Sequence, residues 1–353
     1  MVHECSLGRR AVFTVTAGVL LALVGCSKAP ASGEAPSQST AELKPAPAAS
    51  PAPGEAPRAA SPLKVAFNQW VGFAGLFLAD ERGLFKAEGV EVQLVPFSGP
   101  GDSIPPLLAE QIDVSLTTAN NLALIAGKQP AAAKVVYVID ASDGADAIVA
   151  SQAVTSVAAL KGKKVAVTLG EINHMLLMLG LESAKLAESD VTLVDMSPDD
   201  AGAAFMAGKV DAAVTWEPWL TRAKEKGGNV IYSSKEPGAK DTLIDVMAVS
   251  DRALAERSRE LAAFIRGLDA GLAFLREQPA EAKAIVARRL DAKPEDVEGM
   301  LSGARLYTHA ENQALLTGSL PATFGRIEEF LKAHSLITRG IEPAGLVSAV
   351  LVR

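Results

Sequence analysis

The chain has 353 residues, of which 49% are hydrophobic, so it is long enough for one large domain or two medium domains with buried cores. Its formal net charge of −7 at pH 7 argues against a nucleic-acid partner, because an acidic surface repels a polyanion. Its two cysteines are Cys5 and Cys26, and its four histidines are scattered. We therefore expect no cysteine chemistry beyond residue 26, no metal, no cofactor and no catalytic residue.

The first 25 residues are typical of a lipoprotein signal peptide. Arg9 and Arg10 supply a positive start, and residues 11–24 form an apolar run that is short for a membrane span. The run ends at Leu23-Val24-Gly25-Cys26, which resembles a bacterial lipobox. An ordinary signal peptide with an incidental cysteine is the alternative. We expect Cys26 to carry lipid that anchors the chain to a membrane of the cell envelope, facing the periplasm or the exterior.

Residues 26–61 are rich in Ala, Pro, Ser, Gly and Glu and contain almost no large apolar side chain. Such a segment cannot bury enough apolar surface to order itself. We expect it to be a disordered tether between the membrane and a folded domain.

Strands then alternate with helices. The first half is predicted to have strands at 63–68, 90–96, 112–116 and 133–139, with helices at 72–82, 102–110 and 119–127. The second half is predicted to have strands at 163–167, 191–195, 212–215 and 230–232, with helices at 174–185, 199–207 and 218–226. After a strand at 245–249 come helices at 258–277, 279–289, 294–301 and 318–333. This alternation predicts βαβ units and mostly parallel sheets.

The alternation restarts after short crossing segments, which predicts an α/β fold with two lobes. We expect lobe one to comprise residues 62–147 and 246–353, and lobe two residues 148–245. Ligands of open α/β sheets bind beyond the carboxyl ends of the strands, close to helix N-termini. Two facing lobes would bring these ends together in a cleft.

The same stretch resembles the periplasmic solute-binding proteins of the nitrate/sulfonate/taurine ABC importers, which are related to thiamine-pyrimidine binding proteins. The matching strings are GFAGLFLA at 72–79, GLFK at 83–86, GVEV at 89–92, DV at 113–114, LKGKKVAV at 160–167, GKVDAA at 208–213, WEPW at 216–219 and DV at 245–246. The resemblance covers nearly all of the chain from residue 63 and is weaker after residue 300. It implies a bilobal class II periplasmic-binding-protein fold, with two βα sandwich lobes joined by hinge strands, and delivery of a solute to an ABC permease and its ATPase.

Candidate ligand-binding residues in lobe one lie where predicted strands end and helices begin. Free N–H groups at such helix starts can bind an anion. Trp70 could instead pack the lobe interface, and the Ser and Thr residues could instead cap helices. The candidates are Gln69, Trp70, Gly72, Ser98, Gly99, Thr117, Thr118 and Asn120.

Candidates in and next to lobe two follow the same logic. Asn173 and His174 open a helix and could donate hydrogen bonds, although a lone histidine is often structural. Trp216 could stack on a ligand, and Glu217 could either pair with a cation or cap the next helix. Asp245 ends the return crossing, and the resemblance to taurine-type members implies that it binds an amine.

None of these loops contains Arg or Lys, which favours a zwitterion, an amine or a neutral heterocycle over a strongly anionic ligand. We therefore expect a monomeric binding protein for a small polar molecule that is sulfonate/taurine-like, amine-like or pyrimidine-like. Two alternatives remain open. One is an enzyme on the same fold, of the dehydratase or pyrimidine-synthase type, and the other is a sensory ectodomain.

Overall fold

The computed structural model describes residues 61–129 and 133–352, which belong to one compact unit spanning Ala59–Arg353. The predicted signal peptide, the lipidation candidate Cys26 and all but the end of the predicted tether lie outside these residues. No helix in the described ranges combines the length and the apolar character needed to cross a bilayer.

The strands agree closely with the predicted ones, and most bounds shift by one to three residues. They are β1 Leu63–Phe67, β2 Val92–Pro96, β3 Val114–Thr118, β4 Ala133–Ser142, β5 Asp146–Ala150, β6 Lys164–Val167, β7 Thr192–Asp195, β8 Ala212–Trp216, β9 Asn229–Ser233, β10 Ile244–Ser250 and β11 Ala304–Leu306. The helices are α1 Ala74–Glu81, α2 Leu84–Ala87, α3 Ile104–Leu108, α4 Ala119–Ala126, α5 Ile172–Ser183, α6 Pro198–Met206, α7 Trp219–Glu225, α8 Asp251–Glu256, α9 Ser258–Glu277, α10 Pro279–Leu290, α11 Pro294–Leu301, α12 His309–Ala314 and α13 Leu320–Ala333.

These strands form two sheets. The first has the order β11-β4-β10-β3-β1-β2 and the second the order β7-β6-β8-β5-β9. We name the part built on the first sheet lobe one and the part built on the second sheet lobe two. The chain passes to lobe two between β4 and β5 and returns between β9 and β10. The fold is thus α/β and bilobal.

The prediction of mostly parallel sheets was wrong. Among the described strands, β1 pairs in parallel with β2 and β3, and β6 pairs in parallel with β7 and β8. The pairs made by β4, β5 and β10 are all antiparallel. β5 and β10 follow the two crossings and run opposite to the βαβ strands of their sheets, whereas β4, which is antiparallel to β10, runs in the same direction as β1, β2 and β3.

The long helix α9 covers one side of the core of lobe one, because its apolar face packs on α1 and α2. Phe264 of α9 stacks on Phe85 of α2 with ring centroids 4.8 Å apart. The backbones of α1 and α9 approach so closely that a Cβ atom at Gly271 would lie 2.2 Å from the carbonyl oxygen of Gly75. Only glycine fits there. This packing holds the start of α1, and with it the loop after β1, at the edge of the cleft.

Candidate functional site

A narrow cavity with an accessible volume of about 10 Å³, the scale of one water molecule, lies where the carboxyl ends of strands from both lobes meet. A larger groove of about 370 Å³ exists on the outer face of lobe one beside Phe85, but it is remote from these strand ends. Residues from both lobes and from both crossings line the cavity. They are Asn68, Trp70, Pro100, Thr118, Ser142, Asp146, Ile172, Trp216, Leu243 and Asp245.

Two tryptophans form the aromatic wall of this cavity. Trp70 follows β1 and Trp216 ends β8, and each side chain is only 3% exposed. Their rings meet edge to face across the lobes, with centroids 6.1 Å apart and an interplanar angle of 61°. Trp70 therefore packs the lobe interface, which was the alternative considered for it, and its place in the cavity lining leaves contact with a ligand as a prediction.

Trp70 is fixed by a buried carboxyl group. Its Nε1 atom donates to Oδ1 and Oδ2 of Asp140 at 3.1 and 3.2 Å. Gly72 lies directly over this contact, because a Cβ atom there would be 2.2 Å from both Asp140 Oδ2 and Trp70 Nε1. The structure thus gives Gly72 a packing role beside the cavity.

Three aspartates of the strands and crossings gather beside the tryptophans. Asp245 of β10 lies opposite Asp140 of β4 and opposite Thr118 of β3 in the ladder, while Asp146 opens β5 in lobe two. Asp245 lines the cavity and is partly accessible from it, whereas Asp140 and Asp146 are at most 4% exposed.

Withdrawal from water governs the charge state of all three groups. Burial raises the pKa of Asp146 to about 7, and the negative charge of Glu217 adds to this shift. Burial also raises the pKa values of Asp140 and Asp245, which share a hydrogen bond, and the charge of Asp146 raises both further. In this closed arrangement the cluster therefore holds protons near neutral pH, and a cationic ligand could replace them.

The start of α4 brings together three of the predicted residues. Thr117 donates its hydroxyl hydrogen to the carbonyl oxygen of Pro100 at 2.8 Å, and Thr118 Oγ1 caps α4 by accepting from the N–H of Asn121 at 3.1 Å. Asn120 is 1% exposed, and neither atom of its side-chain amide has a hydrogen-bond partner in the structure. Thr117 and Thr118 thus have local partners, whereas Asn120 has unused donors and an unused acceptor.

The start of α5 in lobe two carries a second buried amide. Asn173 is fully buried, and both atoms of its amide lack partners. The neighbouring His174 accepts from the N–H of Gly170 at 3.2 Å through Nδ1, and its Nε2 lies 3.7 Å from a carboxylate oxygen of Glu188. Burial lowers the pKa of His174, so the neutral imidazole is favoured near pH 7.

The remaining predicted residues lie at the margin of the site. Gln69 is exposed and donates through Nε2 to the carbonyl oxygen of Arg289 at 3.3 Å. Ser98 is exposed, whereas Gly99 is buried at the lobe boundary. Glu217 faces α7, where Oε2 accepts from the N–H of Thr221 at 2.9 Å.

Of the two roles considered for Glu217, the contacts match the helix cap. Its second carboxylate oxygen, Oε1, lies 3.7 Å from Lys224 Nζ, and Glu217 is absent from the cavity lining. Burial raises its pKa, which the hydrogen bond from Thr221 and the charge of Lys224 partly offset. We therefore expect Glu217 to stabilise α7 and not to contact the ligand.

The predicted ligand-binding residues do not include Asp140, Asp146 or Glu171. A sequence signal exists for the first two, because Asp146 is the only charged residue of β5 and Asp140 is the only acidic residue of β4, which also contains Lys134. Nothing in the sequence indicated that β4 and β10 pair, which is what brings Asp140 beside Asp245. Within the described ranges, no group of three or more His, Cys, Asp or Glu is positioned to hold a metal ion.

The two sheets, their crossings and the cavity between them define a protein with the periplasmic-binding-protein fold. The chain belongs to the family described as NMT1/THI5 like, whose profile matches residues 70–282, more than half of its length.

Solved structures share the fold at low sequence identity. The alkanesulfonate-binding protein from Xanthomonas axonopodis pv. citri, solved with bound MOPS, has 22% identity and a TM-score of 0.70, covering 82% of this chain and 99% of its own. The desulfurization enzyme DSZB has 17% identity and a TM-score of 0.61, covering 83% and 98%. The fold therefore accommodates both binding proteins and an enzyme.

A Bacillus subtilis (strain 168) protein named for binding aliphatic sulfonates is 32% identical over 169 residues, which is 46% of this chain and 50% of that relative. The match thus spans about half the length of that curated relative.

Proposed function

We propose that this chain is the substrate-binding component of an ABC importer. In this proposal it is a monomer that is anchored through lipid on Cys26 and extends into the periplasm or the exterior. It captures a small polar molecule between its lobes and delivers it unchanged to the permease and its ATPase. The observation that carries the proposal is the cavity at the strand ends, which both lobes and both crossings line.

The carboxyl cluster supports a ligand with a cationic or N–H-bearing end. Asp146 and Asp245 line the cavity, and Asp140 is hydrogen-bonded to Asp245. A buried carboxylate is costly unless it is paired, and the lining contains no Arg or Lys among the described residues. An ammonium group or a ring N–H of the ligand would supply the missing partner.

The buried amides support an acceptor end on the same ligand. Asn120 and Asn173 open α4 and α5, and helix N-termini present unpaired N–H groups and a partial positive charge. Neither amide lines the cavity in this closed arrangement, but Asn173 directly follows the lining residue Ile172, and Asn120 lies two residues after Thr118. Both are at most 1% exposed and have no hydrogen-bond partner in the structure, so in this proposal they donate to an oxygen of the ligand when the lobes separate to admit it. A small zwitterion such as an aminosulfonate satisfies both ends.

Thermal-shift assays on the intact chain test this proposal with matched probes. Taurine carries both ends, ethanesulfonate only the acceptor end, ethanolamine only the donor end, and 4-aminopyrimidine represents the heterocycles. A ligand at 100 times its Kd adds about 2.7 kcal/mol of stability, which gives a clear upward shift in Tm. We expect a probe with both ends to give the largest shift. If nitrate or another simple inorganic anion is the best ligand, the two-ended site is wrong.

The enzyme alternative has one specific point in its favour, since DSZB shares the fold. Incubation of the pure chain with a binding probe, followed by recovery of that probe, separates the two functions. A binding protein returns the probe unchanged, whereas any modified product supports catalysis. A sensory ectodomain would be indicated by a kinase gene, instead of permease and ATPase genes, beside the gene for this chain.

A further inference from the structure

One side chain of lobe two reaches across to the backbone of lobe one. Glu171 immediately precedes α5, and its carboxyl group packs on the turn that leads into α3. A Cβ atom at Gly101 would lie 2.2 Å from Glu171 Oε1 and 2.9 Å from Glu171 Cδ. The same point is 3.4 Å from Asn121 Nδ2 of α4. Glycine at position 101 is thus what allows the carboxyl group to seat against lobe one.

The surroundings of the Glu171 carboxyl group at Gly101 and Asn121 are poorly suited to its ionised form. Glu171 Oε2 is buried and has no hydrogen-bond partner in the structure. The acidic groups that act on it are Asp102 of lobe one and Asp195 of lobe two, and both charges repel a carboxylate. His174, one turn into α5, is held neutral by burial, and its Nδ1 is occupied by the N–H of Gly170. Donors from Gly101 and Asn121 offset this only in part.

We propose that Glu171 is a proton-dependent latch for the cleft. Closure places the Glu171 carboxyl against Gly101 and Asn121 and takes up a proton, and ionisation of the carboxyl favours separation of the lobes. The latch acts on the empty protein, so it does not depend on the identity of the ligand. It would make capture and release of a solute sensitive to the pH outside the cell.

The direction of the effect follows from the two states of the carboxyl group. In separated lobes Glu171 faces water, where a glutamate has a pKa of about 4.3. In the closed structure, burial and then the charge of Asp102 raise its pKa to about 7. The closed state therefore binds the proton more tightly than the open state. The stabilisation of the closed state by this proton is complete below about pH 4 and is lost as the pH rises through 7. Within this window the closed-to-open ratio changes about tenfold per pH unit.

The tryptophans provide an intrinsic reporter of closure in the ligand-free chain. Trp70 and Trp216 meet across the lobes and are 3% exposed, and Trp219 is half-buried nearby. The chain has three tryptophans in total, and two of them form this contact, so its tryptophan emission is sensitive to separation of the lobes. We expect the emission to shift to longer wavelength, and quenching by acrylamide to increase, as the pH rises from 5 to 8.5.

Variants assign the titration to Glu171, because Asp140, Asp146 and Asp245 also bind protons more tightly when buried. Glu171→Gln keeps the shape but cannot ionise, so any remaining pH dependence comes from the aspartates, and at pH 8 its tryptophans should be less accessible to acrylamide than those of the parent. The control Glu236→Gln removes an exposed glutamate of the loop between β9 and β10 and should titrate like the parent.

A second variant tests the contact without relying on titration. Gly101→Ala places a methyl group where the Glu171 carboxyl lies and should leave the tryptophans accessible to acrylamide even at pH 5. The proposal is overturned if Glu171→Gln shows the parent's full pH dependence. It is also overturned if Gly101→Ala folds with the parent's circular dichroism and keeps its tryptophans as protected as those of the parent at pH 5.

Discussion

Replacing Gly72 with alanine should damage the site through a single added methyl group. The new Cβ atom would lie 2.2 Å from Asp140 Oδ2 and from Trp70 Nε1, far inside van der Waals contact. The backbone of Gly72 is not in the left-handed region, so a side chain is excluded by its neighbours and not by the backbone conformation. The Trp70 ring and the Asp140 carboxyl must therefore move apart.

Two costs add at this position. Loss of a buried hydrogen bond to a group that can be charged destabilises by about 1.5–3 kcal/mol. Forcing an extra methyl group into packed surroundings costs about 1–3 kcal/mol more. We therefore expect Gly72→Ala to lower the free energy of unfolding by about 2.5–6 kcal/mol. Asp140 is fully buried, so water cannot replace the lost indole donor without opening the site.

Urea denaturation followed by circular dichroism measures this loss, and Gly299→Ala is the matched control. Gly299 lies on the exposed side of α11, and a Cβ atom there meets nothing within 4 Å. The same chemical change should stabilise the chain there by up to about 1 kcal/mol, since alanine is the better helix former. If the two variants have equal stability, the packing of Gly72 on the Trp70–Asp140 contact has been misread.

Three further predictions concern binding, capping and anchoring. Asp245→Asn should weaken a ligand that carries an amine by about 1.5–3 kcal/mol in titration calorimetry, and unchanged affinity would make this acid structural. Glu217→Ala should cost about 1 kcal/mol of stability in urea denaturation by removing the acceptor of the Thr221 N–H, yet leave ligand affinity unchanged; weaker binding would return Glu217 to the ligand site. Cys26→Ser should move the protein from the membrane fraction to the soluble fraction, and an intact mass without added lipid on the parent would refute the anchor.

The order of strands and helices could be predicted from the sequence because the apolar pattern of each element, and the polar, glycine or proline residues that end it, lie within a short stretch of chain. The long helix at Ser258–Glu277 and the short one at Pro294–Leu301 were predicted to the residue. Both begin and end where polar or proline residues interrupt the apolar pattern. Shorter elements with weak patterns, such as α8, α12 and β11, were missed.

Strand pairing could not be predicted because it depends on distant segments. β10 lies between β3 and β4, more than 100 residues away along the chain. The local pattern of β10 is an apolar run that fits either a parallel or an antiparallel neighbour. The antiparallel direction follows from the return crossing, which only the complete topology reveals.

The candidate site also contains residues that a local pattern predicts and contacts that only the tertiary structure reveals. Trp70, Thr118 and Trp216 were predicted to bind ligand because each lies at or just after a strand end, and Asp245 because it ends the return crossing and the family resemblance implies it; all four line the cavity. The seat of Glu171 depends on how closely the lobes approach at Gly101, which no local pattern encodes. The orientation of Glu217 was left open for a similar reason, since a carboxylate before a helix can serve either the helix or a cleft.

Native mass spectrometry of the intact chain with the strongest probe from the thermal-shift panel tests the central claim most directly. The account predicts one probe molecule per chain, and recovery of that probe with unchanged mass after the protein is denatured. Binding of a probe that is returned chemically altered would contradict it, as would the absence of any bound adduct at concentrations that shift the Tm.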